Sequence, residues 1–249
     1  MARAACQVFT EKGYRRTLLT DVAARLGLSH ALLYRYAESK EALFELALRY
    51  AMNPGAVSAI EVPLPSPRPG RVLDLVAAWA AEQARFPSLD SALARDRTED
   101  HAEDRTEDRT EDRTEDRTED RTEDTSRELA AIIDELYAFA EGNRRLLALI
   151  ERSALDLPEL HALYFTQFRR AYVGQLVGYL QRRTGRGRLR PVPDAGVAAR
   201  FIIESIAWFA WHRKDDPDSE MIADEPARQT VRELLLAAFI PEAPESTRR

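Results

Sequence analysis

Cysteine is almost missing from this sequence: Cys6 is the only one in 249 residues. An internal disulfide is therefore impossible, and a thiolate zinc framework is excluded. The histidines stand alone at 30, 101, 161 and 212, without the regular spacing to carboxylates that a metal site needs, so no metal and no other cofactor is expected. No run of about 18 apolar residues occurs; even the most apolar stretch, 201–211, contains Glu204. The N-terminal MARAACQVFTEKGY has no apolar core of signal-peptide length before Glu11 and Lys12 interrupt it. The GRGR at 185–188 lacks the third glycine and the preceding strand of a dinucleotide loop. These absences predict a cytoplasmic chain that neither spans a membrane nor is secreted, and the lack of any catalytic cluster predicts that it is not an enzyme.

Charge of one sign is in excess only locally. The chain has 36 Lys+Arg and 42 Asp+Glu, a formal −6, which taken whole argues against a nucleic-acid partner. Residues 97–124 account for it. They are seven consecutive tetrapeptides, six reading Arg-Thr-Glu-Asp and one, from His101, reading His-Ala-Glu-Asp, with 6 Arg and 14 acids. That tract is −8, so the other 221 residues carry +2. Its period of 4 stacks like charges at i,i+4, which disfavours a helix, although Arg-to-Asp pairs at i,i+3 partly offset this. Ala102 is its only apolar residue. With no face to bury, a solvated, mobile or marginally helical excursion is expected, which a loop tolerates because extra length costs little closure entropy.

Elsewhere apolar residues recur at helical spacing and alternating runs are scarce, so the fold class is all-α. Short helices are expected over 2–12, 17–25, 29–36 and 39–52. Thr17, Ser29 and Ser39 are available as N-caps, and Gly13 and Gly27 mark helix ends. Residues 53–69 contain Pro54, Pro63, Pro65, Pro67 and Pro69 and read as a linker. A larger helical region, 70–240, follows, interrupted by the 97–124 repeat. Its helices are expected at 70–86, 126–141, 143–154, 158–183, 194–213 and 224–240. Thr125 with Glu128 fits a capping box, and Pro158 suits a first helical position. Residues 241–249 read as a flexible tail.

The stretch 13–43, GYRRTLLTDVAARLGLSHALLYRYAESKEAL, carries the functional signal. A helix with Leu18, Leu19, Val22 and Ala23 is joined through Gly27 to a second whose Leu33 packs back, which is helix-turn-helix spacing over about 18–37. His30, Ala31, Leu32, Tyr34, Arg35 and Tyr36 then face outward, and Lys40 adds a positive charge at the next helix start. Residues 1–50 hold 8 Lys+Arg against 5 Asp+Glu, a net +3, the right sign for DNA.

This stretch resembles the DNA-binding domain of the tetracycline-repressor (TetR) family. Phe9, Gly13, Tyr14, Thr17, Leu19, Val22, Ala23, Leu26, Gly27, Leu28, Ser29, Ala31, Leu33, Tyr34, Tyr36, Ser39, Lys40, Glu41 and Leu43 match its pattern in register. The resemblance implies that Thr17 caps the second helix and touches a phosphate. Ser29, His30, Ala31, Leu32 and Arg35 would read bases, Tyr34 and Tyr36 grip the backbone, and Lys40 anchor a phosphate. Two positions depart from the pattern: Leu32 replaces a small hydroxyl residue, and Ala37 replaces a phenylalanine, which weakens packing under the reading helix. The first helix begins about a turn late, which leaves a short helix or a start upstream of Met1 as alternatives.

Beyond 1–50 the resemblance implies a helical domain that binds a small-molecule effector and forms a homodimer. Trp79, Tyr137, Tyr164, Phe168 and Tyr172 are the candidate pocket aromatics. Phe201, Ser205, Trp208, Val231 and Leu235 are candidates for the dimer interface. The expected function is a ligand-responsive homodimeric repressor acting on double-stranded DNA at a near-palindromic operator. An activator of the same family, or a helical small-molecule-binding protein or enzyme without DNA function, are the alternatives.

Overall fold

A computed structural model of the protein describes residues 1–103, 114–219 and 221–241. Among these the chain is all-α, and the extended pairing consists of one parallel bridge between Ala37 and Leu64. The helices are α1 (Ala2–Lys12), α2 (Leu19–Leu26), α3 (His30–Leu33), α4 (Lys40–Met52), α5 (Arg71–Gln83), α6 (Pro87–Glu103), α7 (Thr114–Ala154), α8 (Pro158–His161), α9 (Arg170–Gly185), α10 (Ala195–Ala210) and α11 (Asp224–Phe239). Residues 104–113, within the expected repeat excursion, and 242–249, within the expected flexible tail, lie outside the described residues.

Two compact units form. One comprises Met1–Arg85 with Asn143–Arg170, the other the described residues of Phe86–Gly142 and Ala171–Arg249. The first unit therefore takes in the Pro-rich segment, α5, the end of α7 and α8 together with the first four helices. Its core joins Phe9, Val22, Leu33, Leu43 and Phe44, each no more than 1% exposed. Phe9, Tyr14 and Phe44 meet with ring centroids 5.0–6.0 Å apart, locking α1, the following turn and α4 together. Cys6 is buried in α1, and burial pushes its thiol up to about 11.

Asp156, just after α7, meets the turn between α1 and α2. Its Oδ2 accepts the Arg15 N–H at 2.8 Å, and Arg152 Nη2 reaches the Glu11 carbonyl at 3.4 Å. Gly13 makes this approach possible: it sits at φ 82, ψ 169, and a Cβ there would lie 2.8 Å from that same Asp156 oxygen.

In the second unit the core is built from apolar faces of α6, α7, α9, α10 and α11, including Leu89, Leu129, Ile133, Leu176, Ile202 and Ile206. A charged cluster lies against it. Arg183, 2% exposed, donates to Glu128 through Nε (2.9 Å) and Nη2 (3.1 Å) and to Asp96 through Nη1. Arg182 Nε and Arg186 Nη1 reach Asp96 at 2.9 Å each, and Arg95 pairs with Glu128. Burial works against ionising Asp96 and Glu128, yet the arginine hydrogen bonds hold both below the ordinary carboxylate range. Asp96 immediately precedes the repeat and Glu128 follows it, so its two ends are tied at their base.

Several helix limits differ from the sequence expectation. Thr125 was expected to begin a helix, but α7 already runs from Thr114, and Thr125 is 3% exposed inside it. Glu128 is then taken by arginines rather than by a capping box. The described ends of the repeat are helical, 97–103 completing α6 and 114–124 opening α7, because each continues a helix anchored in the core. Gly142 does not break α7, and residues 158–185 divide into α8, a π-helix over Ala162–Arg169, and α9. Pro158 does occupy the first turn of α8.

Candidate nucleic-acid interface

The helix pair is set by caps at each joint. Gly27 ends α2 in the left-handed region, φ 66 and ψ 27, with its N–H on Ala23 and Ala24 carbonyls. Ser29 Oγ accepts the Leu32 N–H at 3.2 Å, and Ser39 Oγ accepts that of Ala42 at 3.2 Å. Between them α3 is a single turn, His30–Leu33, extended by bonds from Tyr36 N–H and Ala37 N–H back to the Leu33 carbonyl. Leu33 is fully buried, whereas Ala31, Tyr34 and Arg35 are exposed. Leu32 and Tyr36 are half-buried, so neither is turned wholly outward, and the side chain of His30 lies outside what the structure describes.

Two residues have duties that the sequence reading did not assign. Thr17 is 1% exposed, and its hydroxyl donates to the Gly13 carbonyl at 2.7 Å. The expected cap and phosphate contact at Thr17 is corrected accordingly. α2 begins after Leu18, whose N–H is accepted by Asp21 Oδ2 at 2.8 Å, and Thr17 faces the core one residue earlier. Lys40, placed by the first turn of α4, donates from Nζ to the Arg15 carbonyl at 3.0 Å and stands 4.7 Å from the Tyr14 ring centroid. Partial burial lowers its amine from the ordinary value despite neighbouring Glu41, Asp156 and Asp21.

Around these residues Lys12 pairs with Asp21 at 2.6 Å and Arg25 with Glu11 at 2.5 Å. The Tyr14 hydroxyl donates to Glu41 Oε1 at 2.8 Å. Further positive charge sits at exposed Arg3, Arg15, Arg16 and Arg35. A short helix pair anchored by buried Val22, Ala23 and Leu33, with exposed Arg35 and Tyr34 at its outer edge, is arranged to meet an anionic duplex.

Residues 2–47 match the family described as bacterial regulatory proteins, tetR family. Residues 2–47 are thus a TetR-type DNA-binding segment. No curated protein matches it. Among solved structures it is similar to a Mesorhizobium loti protein assigned to the TetR-family regulators, at 18% identity over 96% of this chain and 95% of that one, TM-score 0.42. PfmR, a TetR-family regulator from Thermus thermophilus, is 22% identical over 95% of this chain and 97% of that one, TM-score 0.41. FadR from Bacillus subtilis, solved with stearoyl-CoA, is 16% identical over 95% of this chain and 96% of that one, TM-score 0.41. All three TM-scores lie below 0.5, and the reading of the site rests on its own geometry.

Outside the TetR-type segment the candidate residues are distributed as follows. Trp79, Tyr164 and Phe168 belong to the first unit, Tyr137 and Tyr172 to the second. Trp79 and Tyr137 are buried and the other three half-buried. Tyr172 meets Phe86 with ring centroids 4.3 Å apart and planes tilted by 44°. On α10, Phe201 and Trp208 are exposed and Ser205 half-exposed. Val231 and Leu235 are not: at 4% and 2% exposed they belong to the core of their own unit. Their assignment to a dimer face is corrected, because the large apolar residue that α11 exposes is Leu234, 66% exposed. Among the described residues no group of three or more His, Cys, Asp or Glu is placed to hold a metal, and no helix is long and apolar enough to cross a membrane.

Proposed function

We propose that this chain is a TetR-type, ligand-responsive homodimeric repressor that reads a near-palindromic operator in double-stranded DNA in the cytoplasm, without enzymatic activity. The observation that carries this reading is the capped helix pair within residues 2–47, which buries Leu33 while exposing Tyr34 and Arg35. Arg35, with Ser29, His30 and Ala31 at the start of the same turn, reads base edges. Tyr34, Tyr36 and the ammonium of Lys40 contact the phosphate backbone. Two such modules about 34–36 Å apart engage successive major grooves.

Exposed Val197, Phe201 and Trp208 on α10, with Leu234 on α11, support dimerisation, since an uncovered apolar face of this kind is stable in water when a second copy covers it. The aromatics Trp79, Tyr164, Phe168, Tyr137 and Tyr172 are the candidates for contact with a small-molecule effector. Such an effector acts by binding one arrangement of the dimer better than the other.

The test is selection of duplexes from a random pool by the full chain, followed by gel retardation across a salt series. A near-palindromic sequence should be enriched. Arg35→Ala should relax its preference, and Lys40→Ala should weaken all sequences alike and reduce the salt slope by about 1. If no sequence is enriched and the DNA flanking the gene is not retarded at low salt, the regulatory reading fails and the small-molecule-binding alternative takes its place.

A further inference from the structure

A four-residue helix cannot hold its own position. It makes few internal hydrogen bonds and leaves its last carbonyls without helical partners. At the entry of α3 the Gly27 turn and the Ser29 cap do this work. At its exit the partner comes from the Pro-rich segment between α4 and α5. The Leu64 N–H donates to the Tyr36 carbonyl at 2.8 Å, and the Glu38 N–H donates to the Leu64 carbonyl at 3.0 Å. The Glu38 carboxylate then accepts the Ser66 N–H at 2.9 Å. Ala37, between the two paired residues, is fully buried.

We propose that residues 60–67 form a strap whose function is to position the DNA-reading turn, with Leu64, Glu38 and Ser66 as positioning residues. This rests on the regulatory reading above and adds to it a part of the chain outside the 2–47 match. The pinned stretch begins at Tyr36, directly after Arg35, so a change of strap position moves the arginine that reads bases. An open cleft of about 450 Å³ separates it from α4, lined by Leu46, Arg49, Ile60, Leu64 and Pro67 among others. A second cleft, of about 440 Å³, lies beneath its downstream end beside Tyr14, Phe44 and Leu160. Beyond the strap, Arg71 Nε reaches Glu45 Oε1 at 3.4 Å, so the segment is tied to α4 where α5 begins.

The test compares Leu64→Pro, which removes the N–H given to Tyr36, and Ser66→Pro, which removes the N–H given to Glu38, with the wild-type full chain. Two probes are used: the duplex that the wild-type chain enriches from a random pool, and a scrambled duplex of the same length and composition. Both variants keep every charge, so affinity for the scrambled duplex should stay within about twofold. Affinity for the enriched duplex should fall about tenfold for Leu64→Pro and less for Ser66→Pro, because base contacts depend on placement. Circular dichroism and elution volume should match wild type. Equal loss on both duplexes, or no loss on either, overturns the strap. Should Leu64→Pro fail to fold, Ser66→Pro, at an exposed residue, gives the same comparison without any change of charge. A wild-type chain that enriches no duplex overturns the regulatory reading and the strap with it, whereas enrichment with indifferent variants overturns the strap alone.

Discussion

Replacing Gly13 by alanine attacks the joint between the TetR-type segment and the end of α7 at one atom. The backbone there, φ 82 and ψ 169, lies where glycine is nearly the only residue tolerated, and an alanine is strained by about 1–3 kcal/mol. The added methyl also meets Asp156 Oδ2 at 2.8 Å. Moving that carboxylate away breaks its bond to the Arg15 N–H, and a hydrogen bond to a charged acceptor contributes about 1.5–3 kcal/mol. Together Gly13→Ala should destabilise the chain by roughly 3–6 kcal/mol. At about 2–4 °C per kcal/mol for a protein of this size, Tm should fall by about 6–24 °C. Urea unfolding followed by circular dichroism measures it. In an Asp156→Ala background the clash is gone but the strain remains, so Gly13→Ala should cost only about 1–3 kcal/mol there. A single variant within about 1 kcal/mol of wild type, or a double variant equal to the sum of the singles, would refute the argument.

Arg183→Met takes the buried partner from Asp96 and Glu128, leaving Arg182 and Arg186 on the first and Arg95 on the second, and should lower stability by about 1–3 kcal/mol in the same assay. Both carboxylates are held below their ordinary values, so their contribution is full above about pH 4 and disappears as pH falls through the depressed native values; a cluster that stabilises equally at pH 3 and pH 7 would contradict this. Thr17→Val should cost about 1–2 kcal/mol by orphaning the Gly13 carbonyl, while leaving the affinity of the folded chain for duplex DNA unchanged, whereas loss of a phosphate-binding hydroxyl would weaken it. On the proposed homodimer, the wild-type chain should sediment as a dimer and Phe201→Glu with Trp208→Glu as a monomer; a monomeric wild type would refute that face as an interface. Deleting 97–124 and closing the gap with a short glycine-containing turn should leave Tm within a few degrees, because Asp96, Glu128 and Arg183 all remain; a large drop would show that the repeat supports the fold.

Much of the TetR-type segment is legible because its signals are local. Gly27 and the serines at 29 and 39 act within one turn of where they stand, and the inward Leu33 follows from helical spacing. Thr17 misleads because a hydroxyl near a helix start resembles a cap. The informative residue is Asp21, three positions after Leu18, which caps the Leu18 amide. Val231 and Leu235 show a different limit: periodicity finds an apolar face of α11 but does not say whether that face meets its own core or a second copy. Thr125 with Glu128 fits a capping box only if no helix precedes it, and α7 enters from the repeat. Least legible is the pairing of Leu64 with Tyr36 and Glu38. Main-chain hydrogen bonds leave no side-chain pattern, and a stretch rich in proline reads as a linker whatever it touches.

The solitary thiol in α1 has a practical use. With Cys6 covered and its pKa near 11, only about one molecule in ten thousand carries a thiolate at neutral pH. Thiol-directed dyes should therefore ignore the native chain and react once it unfolds, which makes the wild-type sequence a silent background. A cysteine introduced at exposed Glu61 or Arg68 would then be the single reactive handle. A fluorophore placed there would report movement of the proline segment as duplex DNA is added, without first engineering the natural cysteine away.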